Sequence, residues 1–195
     1  MAATAQVTRV PVEVYLKSSY EPDAEYVNGV IEERPMGEWS HADWQAAVVD
    51  FFRSRRHQWN VRAAAELRVQ VSAGNFRVPD VTVTDRNLPV EEIVTHTPIA
   101  AFEILSRDDT HARIMTKLRE YERMGIQTIL VLDPNGEHCR FTCGRLEPLP
   151  EEPEPRGDEP LPDDPDPKGE EPVAPPEPAE GLAAEVVAAE EGHTA

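Results

Sequence analysis

The stretch NFRVPDVTVTDRN, residues 75–87, predicts a β-strand but contains two residues that strands disfavour. Pro79 has no backbone N–H to donate to a sheet, and Asp80 is a poor strand former. A second acid, Glu103, lies in the apolar run PIAAFEILS, residues 98–106. A carboxylate among apolar side chains is costly unless it is ion-paired, hydrogen-bonded or bound to a metal. Both acids therefore need partners.

One shared partner would satisfy both acids. The segment between them, residues 86–97, is long enough for the two strands to pair, and adjacent strands lie about 4.8 Å apart. Carboxylates at matched heights could then hold one divalent ion, and oxygen-only ligands favour Mg²⁺ or Mn²⁺ over zinc. The alternative is that Asp80 and Glu103 each end a strand and are solvated or cap a turn.

The N-terminal part of the chain predicts a hairpin followed by a helix. Asn28-Gly29, within AEYVNGVIEERP at residues 24–35, favours a type I′ turn between two short strands. Residues 38–58 predict a helix, with Ser40 as its N-cap. The apolar stripe of this helix consists of Trp44, Val48, Phe51 and Phe52.

The later patterns predict strands around a second helix. Residues 60–73 and 76–85 each predict one strand, and residues 98–106 predict a strand covered on both faces. Two further strands are expected at residues 127–134 and 138–143. A strand–helix–strand crossover among these elements indicates an α/β fold with a central mixed sheet.

The second helix is predicted at residues 107–125. Asp108 or Asp109 is expected to cap it, and Gly125 to end it. Its buried stripe is predicted to be Ile114, Leu118 and Tyr121.

Charge divides the chain into two parts, a domain at residues 1–148 and a tail at residues 149–195. The whole chain has a net charge of −18. Residues 151–195 contain 15 Asp/Glu and 2 Lys/Arg, a net of −13, which leaves −5 for residues 1–150. High charge, many prolines and few large apolar residues predict a disordered acidic tail. We expect the tail either to keep the protein soluble or to mimic nucleic-acid charge and cover a binding site.

Composition and sequence pattern also indicate the cellular compartment of the protein. No apolar run approaches the roughly 18 residues of a membrane span, and the N-terminus lacks a secretory pattern. Two cysteines, Cys139 and Cys143, are too few for a disulfide framework. A cytoplasmic protein that does not bind membranes is expected.

Several ordered motifs resemble one nuclease family. The motif VPD at residues 78–80, followed by FEILS at 102–106 and then a helix, resembles the PD-(D/E)XK nuclease superfamily. The closer resemblance is to the Uma-type restriction endonucleases, through the hairpin at residues 24–33, His41 and the block KLREYERMGIQTILVLDP at 117–134.

This resemblance implies a restriction-endonuclease-like α/β/α core and a catalytic site. Asp80 and Glu103 would be catalytic metal ligands for Mg²⁺ or Mn²⁺. Glu25 would be an additional catalytic acid, although a solvated residue beside a turn is an equal interpretation. The superfamily lysine should lie two residues after the second acid, where this chain has Leu105. Lys117 is the candidate replacement, and its alternative is an exposed, ion-paired helix residue.

Two further residues are candidate nucleic-acid contacts. His41 opens the first long helix, where it could act as a base or contact a phosphate, or could simply cap the helix or lie at the surface. Arg113 is one helical turn before Lys117 and is an alternative phosphate contact; many family members have an aspartate there.

The resemblance implies a Mg²⁺-dependent endonuclease that hydrolyses DNA phosphodiester bonds. A homodimer is expected only because cutting both strands usually requires two sites. The alternative is a non-catalytic module that keeps the nuclease fold and binds nucleic acid or protein. The absent lysine at Leu105 and the mildly acidic domain favour this alternative, because nucleic-acid binding usually depends on a basic surface.

Overall fold

The computed structural model describes residues 8–21, 23–34 and 38–150. Its helices are α1 (Val12–Lys17), α2 (Trp39–Arg55) and α3 (His111–Met124). Its strands are β1 (Ala24–Val27), β2 (Val30–Glu33), β3 (Val61–Ala65), β4 (Val69–Ser72), β5 (Asn75–Arg77), β6 (Val81–Asp85), β7 (Ala100–Ile104), β8 (Thr128–Leu132), β9 (Cys139–Thr142) and β10 (Arg145–Pro148). The predicted tail, residues 149–195, lies outside the described residues apart from its first two. Its predicted disorder and the boundary at residue 148 stay predictions.

A six-stranded mixed sheet forms the centre of the fold, in the order β10-β9-β8-β7-β6-β3. Strands β7 and β8 are parallel and joined through α3, whereas the other neighbours are antiparallel. Helix α2 packs on one face, where Phe52 contacts Phe102, and α3 packs on the other, where Leu118 is fully buried. The predicted α/β/α core with a central mixed sheet is confirmed.

A second, four-stranded antiparallel sheet has the order β2-β1-β5-β4. The predicted hairpin is confirmed, since β1 and β2 pair around Asn28 and Gly29, which have φ values of 51° and 88°. Aromatic contacts fasten α1 to this sheet, with the Tyr15 and Tyr26 rings 5.1 Å apart.

The stretch at residues 75–87 connects the two sheets. The prediction of one strand at residues 76–85 is wrong: β5 belongs to the small sheet, β6 belongs to the large one, and the chain changes sheet at Val78-Pro79-Asp80. Residues 60–73 likewise divide into β3 and β4. Proline has no N–H for a sheet ladder, so it is well suited to the connection between sheets.

The helix caps also differ from the predictions. Glu38 rather than Ser40 precedes α2, and it makes no side-chain cap hydrogen bond. Thr110 caps α3 by accepting a hydrogen bond from the Arg113 backbone N–H at 3.3 Å. Asp109 instead accepts from the Ser106 N–H and hydroxyl, both at 2.9 Å, so it closes the turn before the helix.

The last strand of the domain was not predicted from the sequence. Strand β10 pairs antiparallel with β9 from Arg145 to Pro148, within the predicted domain at residues 1–148. Among the described residues, no helix is both long and apolar enough to cross a membrane.

The end of α3 supplies a stability prediction. Gly125 ends the helix at φ +94°, a left-handed conformation that costs an L-residue about 1–2 kcal/mol. An added Cβ would meet only Thr97 Cγ2, at 3.8 Å, so conformation rather than crowding sets the cost. Gly125→Ala should therefore lower the free energy of unfolding in urea by about 1–2 kcal/mol.

Gly74→Ala is the matched control, because an added Cβ there has no heavy atom within 4 Å. We expect its unfolding free energy to stay within about 0.5 kcal/mol of wild type. An equal effect in both variants would contradict the conformational explanation.

Candidate active site

Asp80 and Glu103 come together where β6 and β7 pair. In the antiparallel register Val81 faces Phe102, so the next pair along is Asp80 opposite Glu103. Phe102 and Ile104 point to the α2 side, which puts Glu103 on the α3 side. Asp80 is 3% exposed and Glu103 is 2% exposed. The two predicted site acids are therefore buried neighbours rather than solvated strand ends.

Asp80 is held by partners from three directions. Its Oδ1 pairs with Arg34, and its Oδ2 accepts from the Ile104 backbone N–H at 2.7 Å and lies 3.2 Å from His41 Nε2. The Gln45 amide donates to the Asp80 carbonyl oxygen at 3.0 Å. The predicted contact residue His41 thus lies in the site, reached from the first turn of α2.

Glu103 is held by helix α3. Its Oε2 lies 2.5 Å from Lys117 Nζ, and its Oε1 accepts from the Tyr121 hydroxyl at 2.6 Å. Lys117 and Tyr121 are four residues apart, so they project from the same face of the helix. Because α3 begins at His111 rather than near residue 108, Lys117 lies closer to the helix start than the sequence predicted.

Glu25 belongs to the same cluster, behind Lys117. Its Oε1 lies 3.1 Å from Lys117 Nζ and 3.2 Å from the Val78 backbone N–H. Its Oε2 accepts from Arg77 at 2.8 Å, and Arg77 Nε also donates to Glu120 at 2.5 Å. Glu25 is completely buried, so the interpretation of it as a solvated turn residue is wrong.

Burial and neighbouring charges shift the pKa values of these groups in opposite directions. Burial, together with the charges of Asp80 and Glu25, raises the pKa of Glu103 to about 7 despite the Lys117 ammonium. Burial opposes the charged form of Asp80 too, but His41, Lys117 and Arg34 outweigh it and lower the pKa of that carboxyl. The adjacent acids therefore differ in how readily they ionise.

The same forces act on the bases of the cluster. Burial disfavours the Lys117 ammonium, but Glu103 and Glu25 outweigh it and raise the pKa of Lys117. The hydrogen bond to Asp80 raises the pKa of His41 above its ordinary value. Both groups are therefore biased toward their cationic forms.

Two other positions from the sequence analysis, Arg113 and Leu105, lie in different surroundings. Arg113 lines the cleft and donates to the Glu33 carbonyl oxygen at 3.0 Å, so it connects α3 to the hairpin. Leu105 is half-buried and packs against the apolar cluster on the α3 side of the sheet. Lys117 thus contacts Glu103 from α3, whereas the position two residues after Glu103 carries the apolar Leu105.

A small cleft opens over the two acids. Its volume is about 50 Å³, against roughly 10–15 Å³ for one water by the same measure, so it has room for a few waters or a hydrated ion. Its lining comprises Arg34, His41, Glu66, Asp80, Glu103, Ile104, Ser106, Asp109, Arg113 and Lys117.

Sequence reasoning missed three partners of the acids. Arg34 directly follows the hairpin, Arg77 directly precedes the VPD motif, and Tyr121 was assigned only to the helix core. A buried acid requires a donor or a cation. That requirement could have singled out Arg77, which directly precedes the motif, but no local signal distinguishes Arg34 from other arginines of the chain.

The donor chemistry of the cleft fits a hydrated magnesium ion. Mg²⁺ usually keeps several waters and takes one or two carboxylates together with substrate phosphates. Asp80 and Glu103 supply two carboxylates, each with lone pairs beyond those already engaged. Among the described residues, no three His, Cys, Asp or Glu side chains form a complete ligand set. Water and phosphate oxygens would complete the coordination.

Comparison with known families agrees with this architecture. Residues 12–167 match the model of the Uma2 family, which is described as "Putative restriction endonuclease". The chain belongs to the Uma2 family. The match covers most of the chain and extends past the predicted domain boundary. No curated protein matches the chain at a significant level.

Solved structures include a similar protein. A crystal structure from Anabaena variabilis, of a "putative nuclease belonging to DUF820", is 25% identical and superposes with a TM-score of 0.65. It covers 73% of this chain, which in turn covers 85% of that one. A cryo-electron-microscopy structure of a DrdV–DNA complex is 17% identical with a TM-score of 0.38, over 55% of this chain and 10% of that one.

The buried arginine of the cluster gives a second stability prediction. Arg77 is 2% exposed and neutralises both Glu25 and Glu120. Removing one partner of a buried pair costs about 3–5 kcal/mol, because an uncompensated charge remains. Arg77→Met should lower the free energy of unfolding by about that amount in a urea titration at neutral pH.

Arg145→Met is the control for this experiment. Arg145 forms a 3.4 Å pair with Glu147, and its side chain is 72% exposed. An exposed pair contributes no more than about 1 kcal/mol. Comparable losses in the two variants would contradict a structural role for the Arg77 network.

Proposed function

We propose that this protein is a metal-dependent endonuclease that hydrolyses DNA phosphodiester bonds. The observation that carries the proposal is the convergence of Asp80, Glu103 and Lys117 on one cleft. Two adjacent carboxylates and one ammonium are the parts that phosphodiester hydrolysis needs: a site for a divalent cation, and a positive group for the phosphate. Membership in a family described as "Putative restriction endonuclease" supports the same reaction class.

Asp80 and Glu103 would hold the ion, which we propose is Mg²⁺ or Mn²⁺. When bound, it lowers the pKa of a coordinated water and stabilises negative charge on the phosphate. The protein's contribution is to fix the two carboxylates. The Ile104 N–H fixes Asp80, and the Tyr121 hydroxyl fixes Glu103. Both acids are thereby oriented before substrate arrives, which reduces reorganisation during the reaction.

Lys117 would act as a donor and a positive charge. Its ammonium lies 2.5 Å from Glu103 and 3.1 Å from Glu25, an environment that favours the protonated form. A protonated lysine cannot accept a proton from water, but it can donate to a phosphate oxygen or orient the attacking water. Lys117 thus takes the role that Leu105 cannot perform.

The other cations at the cleft would contact the substrate backbone. Arg34 pairs with Asp80, and His41 Nε2 lies 3.2 Å from it. If Asp80 held a metal ion, these two side chains would be free to contact phosphate. Arg113, on the same wall, would provide a further phosphate contact. Cleavage of both strands of a duplex would require a second copy of the chain.

The alternative function is a non-catalytic binding module. The observation that favours it is that each cluster carboxylate already has a cationic partner among the described residues: Arg34 for Asp80, Lys117 for Glu103 and Arg77 for Glu25. A self-neutralised cluster needs no metal. Activity measurements separate the two functions.

Cleavage assays test the proposal directly. Full-length protein is incubated with supercoiled plasmid, single-stranded DNA and RNA in Mg²⁺ or Mn²⁺, and with EDTA in parallel. We expect wild type to nick or cut DNA only with metal, and Asp80→Asn and Glu103→Gln to reduce cleavage to background. These substitutions remove a charge but keep the size of each side chain.

Glu137→Gln is the matched control, since Glu137 is an exposed residue before β9 and away from the cleft. It should cleave like wild type. Equal inactivity of all four proteins in both metals would contradict the nuclease proposal and favour the binding module.

The role of Lys117 has a separate prediction. Lys117→Met should lower the single-turnover cleavage rate by about 10²–10³, the usual loss for one preorganised donor in a site of this kind. Lys117→Arg keeps the charge and should retain more of the rate. Near-ultraviolet circular dichroism establishes that each variant is folded. A folded Lys117→Met variant with the wild-type rate would show that the lysine is structural.

A further inference from the structure

A second, larger cavity lies on the α3 side of the central sheet, at its β3 edge. Its volume is about 440 Å³, within the range of small-ligand sites. Its floor is formed by β3 and β6, including Ala64, Thr82 and Thr84. Ala63 and Ala64 of β3 line the cavity, and their small side chains leave space at this edge of the sheet.

The walls of this cavity are basic. The C-terminal end of α2 and the neighbouring strands contribute four arginines and two histidines, against one acid, Glu91. The basic residues are Arg53, Arg56, His57, Arg62, Arg86 and His96. Glu91 accepts a hydrogen bond from the Thr95 N–H at 2.8 Å and lies 3.2 Å from His96 Nδ1, so basic residues outnumber it in the lining.

Two of the arginines are built into the wall, and the other two stand at its mouth. Arg62 donates to the Leu88 carbonyl oxygen at 2.9 Å, and Arg86 donates to the Arg56 carbonyl oxygen at 3.3 Å. Arg53 and Arg56 are exposed at the opening, within reach of a ligand. A fixed basic wall with exposed arginines at its opening is suited to phosphate, which arginine binds through paired hydrogen bonds.

The interior has unsatisfied polar atoms beside apolar surface. Thr82 Oγ1 and His96 Nε2 are buried without a hydrogen-bond partner among the described residues, and both residues line the cavity. Buried polar atoms normally have partners, so these two indicate a ligand that supplies a donor or an acceptor. Val90, at the rim, is 79% exposed. The cavity thus combines anion contacts, buried polar atoms and an apolar wall, the features of a nucleotide site rather than a simple anion site.

The position of the cavity relates it to the catalytic cleft. Residues two apart on a strand point to the same face, so Asp80, Thr82 and Thr84 project toward the α3 side. At about 3.3 Å per residue, Thr82 and Thr84 lie about 7 and 13 Å from Asp80 along β6. These distances are short enough for one polynucleotide strand to contact both the cleft and the cavity.

We propose that this cavity binds one nucleotide unit of the substrate strand, next to the one being cut. Its phosphate would contact Arg53 and Arg56, and its sugar and base would occupy the space over Ala64 and Thr82. The inference adds a binding site to the proposed nuclease function. It rests on that function only for the statement that the bound strand is the substrate. The binding itself is independent of catalysis and is measurable without metal.

Fluorescence anisotropy in EDTA tests the proposal. Full-length protein is titrated into a labelled single-stranded DNA of about 12 nucleotides at several salt concentrations. Arg53→Ala/Arg56→Ala should weaken binding by about tenfold and reduce the slope of log K against log salt by about 1.4, or about 0.7 for each arginine–phosphate pair removed. Arg123→Ala/Arg145→Ala, with the same charge change on other surfaces, should leave both quantities near wild type.

Two further variants address the cavity without changing charge. Ala64→Phe should block it and weaken binding. Thr82→Val removes the unpartnered hydroxyl, so it should weaken binding while leaving the thermal midpoint unchanged or higher. Competition with a free nucleoside monophosphate distinguishes a free-nucleotide site from a strand site: we expect the oligonucleotide to bind far more tightly than the monophosphate.

Three results would overturn the inference. They are no oligonucleotide binding by wild type in EDTA, equal weakening by the two double-arginine variants, and displacement of the oligonucleotide by polyglutamate as effectively as by unlabelled DNA. A protein that binds through the cavity but never cleaves would retain the inference and lose the proposed nuclease function. Metal-dependent cleavage together with unaltered DNA binding by the cavity variants would retain the proposed nuclease function and overturn the inference.

Discussion

The structure depends on the neutralisation of a cluster of buried carboxylates between its two sheets. Four acids are buried among the described residues, namely Glu25, Asp80, Glu103 and Glu120. Arg77 and Lys117 are the buried cations of that same part of the chain. The other partners of these acids are Arg34 and His41 at the edge of the cluster, whose side chains are 11% and 12% exposed. Unpaired charges in such a place would cost several kcal/mol each. The surrounding elements must therefore supply a partner of opposite charge for each buried acid.

Those requirements join the architecture to the site. Arg77 comes from the small sheet, Glu103 from the large sheet, and Lys117 and Glu120 from α3, so the ion pairs fasten all three together. The change of sheet at Pro79 is what places Asp80 opposite Glu103. The elements that hold the fold together are therefore the same ones that orient the two acids toward the cleft, and little of the cluster is purely structural or purely functional.

The sequence predicted the parts that depend on local periodicity. The Asn28-Gly29 hairpin, the two long helices and the apolar β7 and β8 were predicted correctly, because their patterns repeat within a few residues. Residues 76–85 were interpreted as one strand, since β5 and β6 have the same alternation although they belong to different sheets. The Arg34–Asp80 pair joins residues 46 apart along the chain, and no local pattern records such a contact. Lys117 was found through the family resemblance, and its burial could not be predicted because the same residue suits an exposed helix face.

The proposed function depends on whether Asp80 and Glu103 hold a divalent cation, which would free Arg34 and His41 from Asp80. Electron paramagnetic resonance of Mn²⁺ added to the full-length protein measures this directly, because bound ions lose the signal of free Mn²⁺. We expect wild type to bind one Mn²⁺ per chain in competition with Mg²⁺, and both Asp80→Asn and Glu103→Gln to lose that site. Wild-type binding that survives both substitutions, or an absence of binding in wild type, would contradict it.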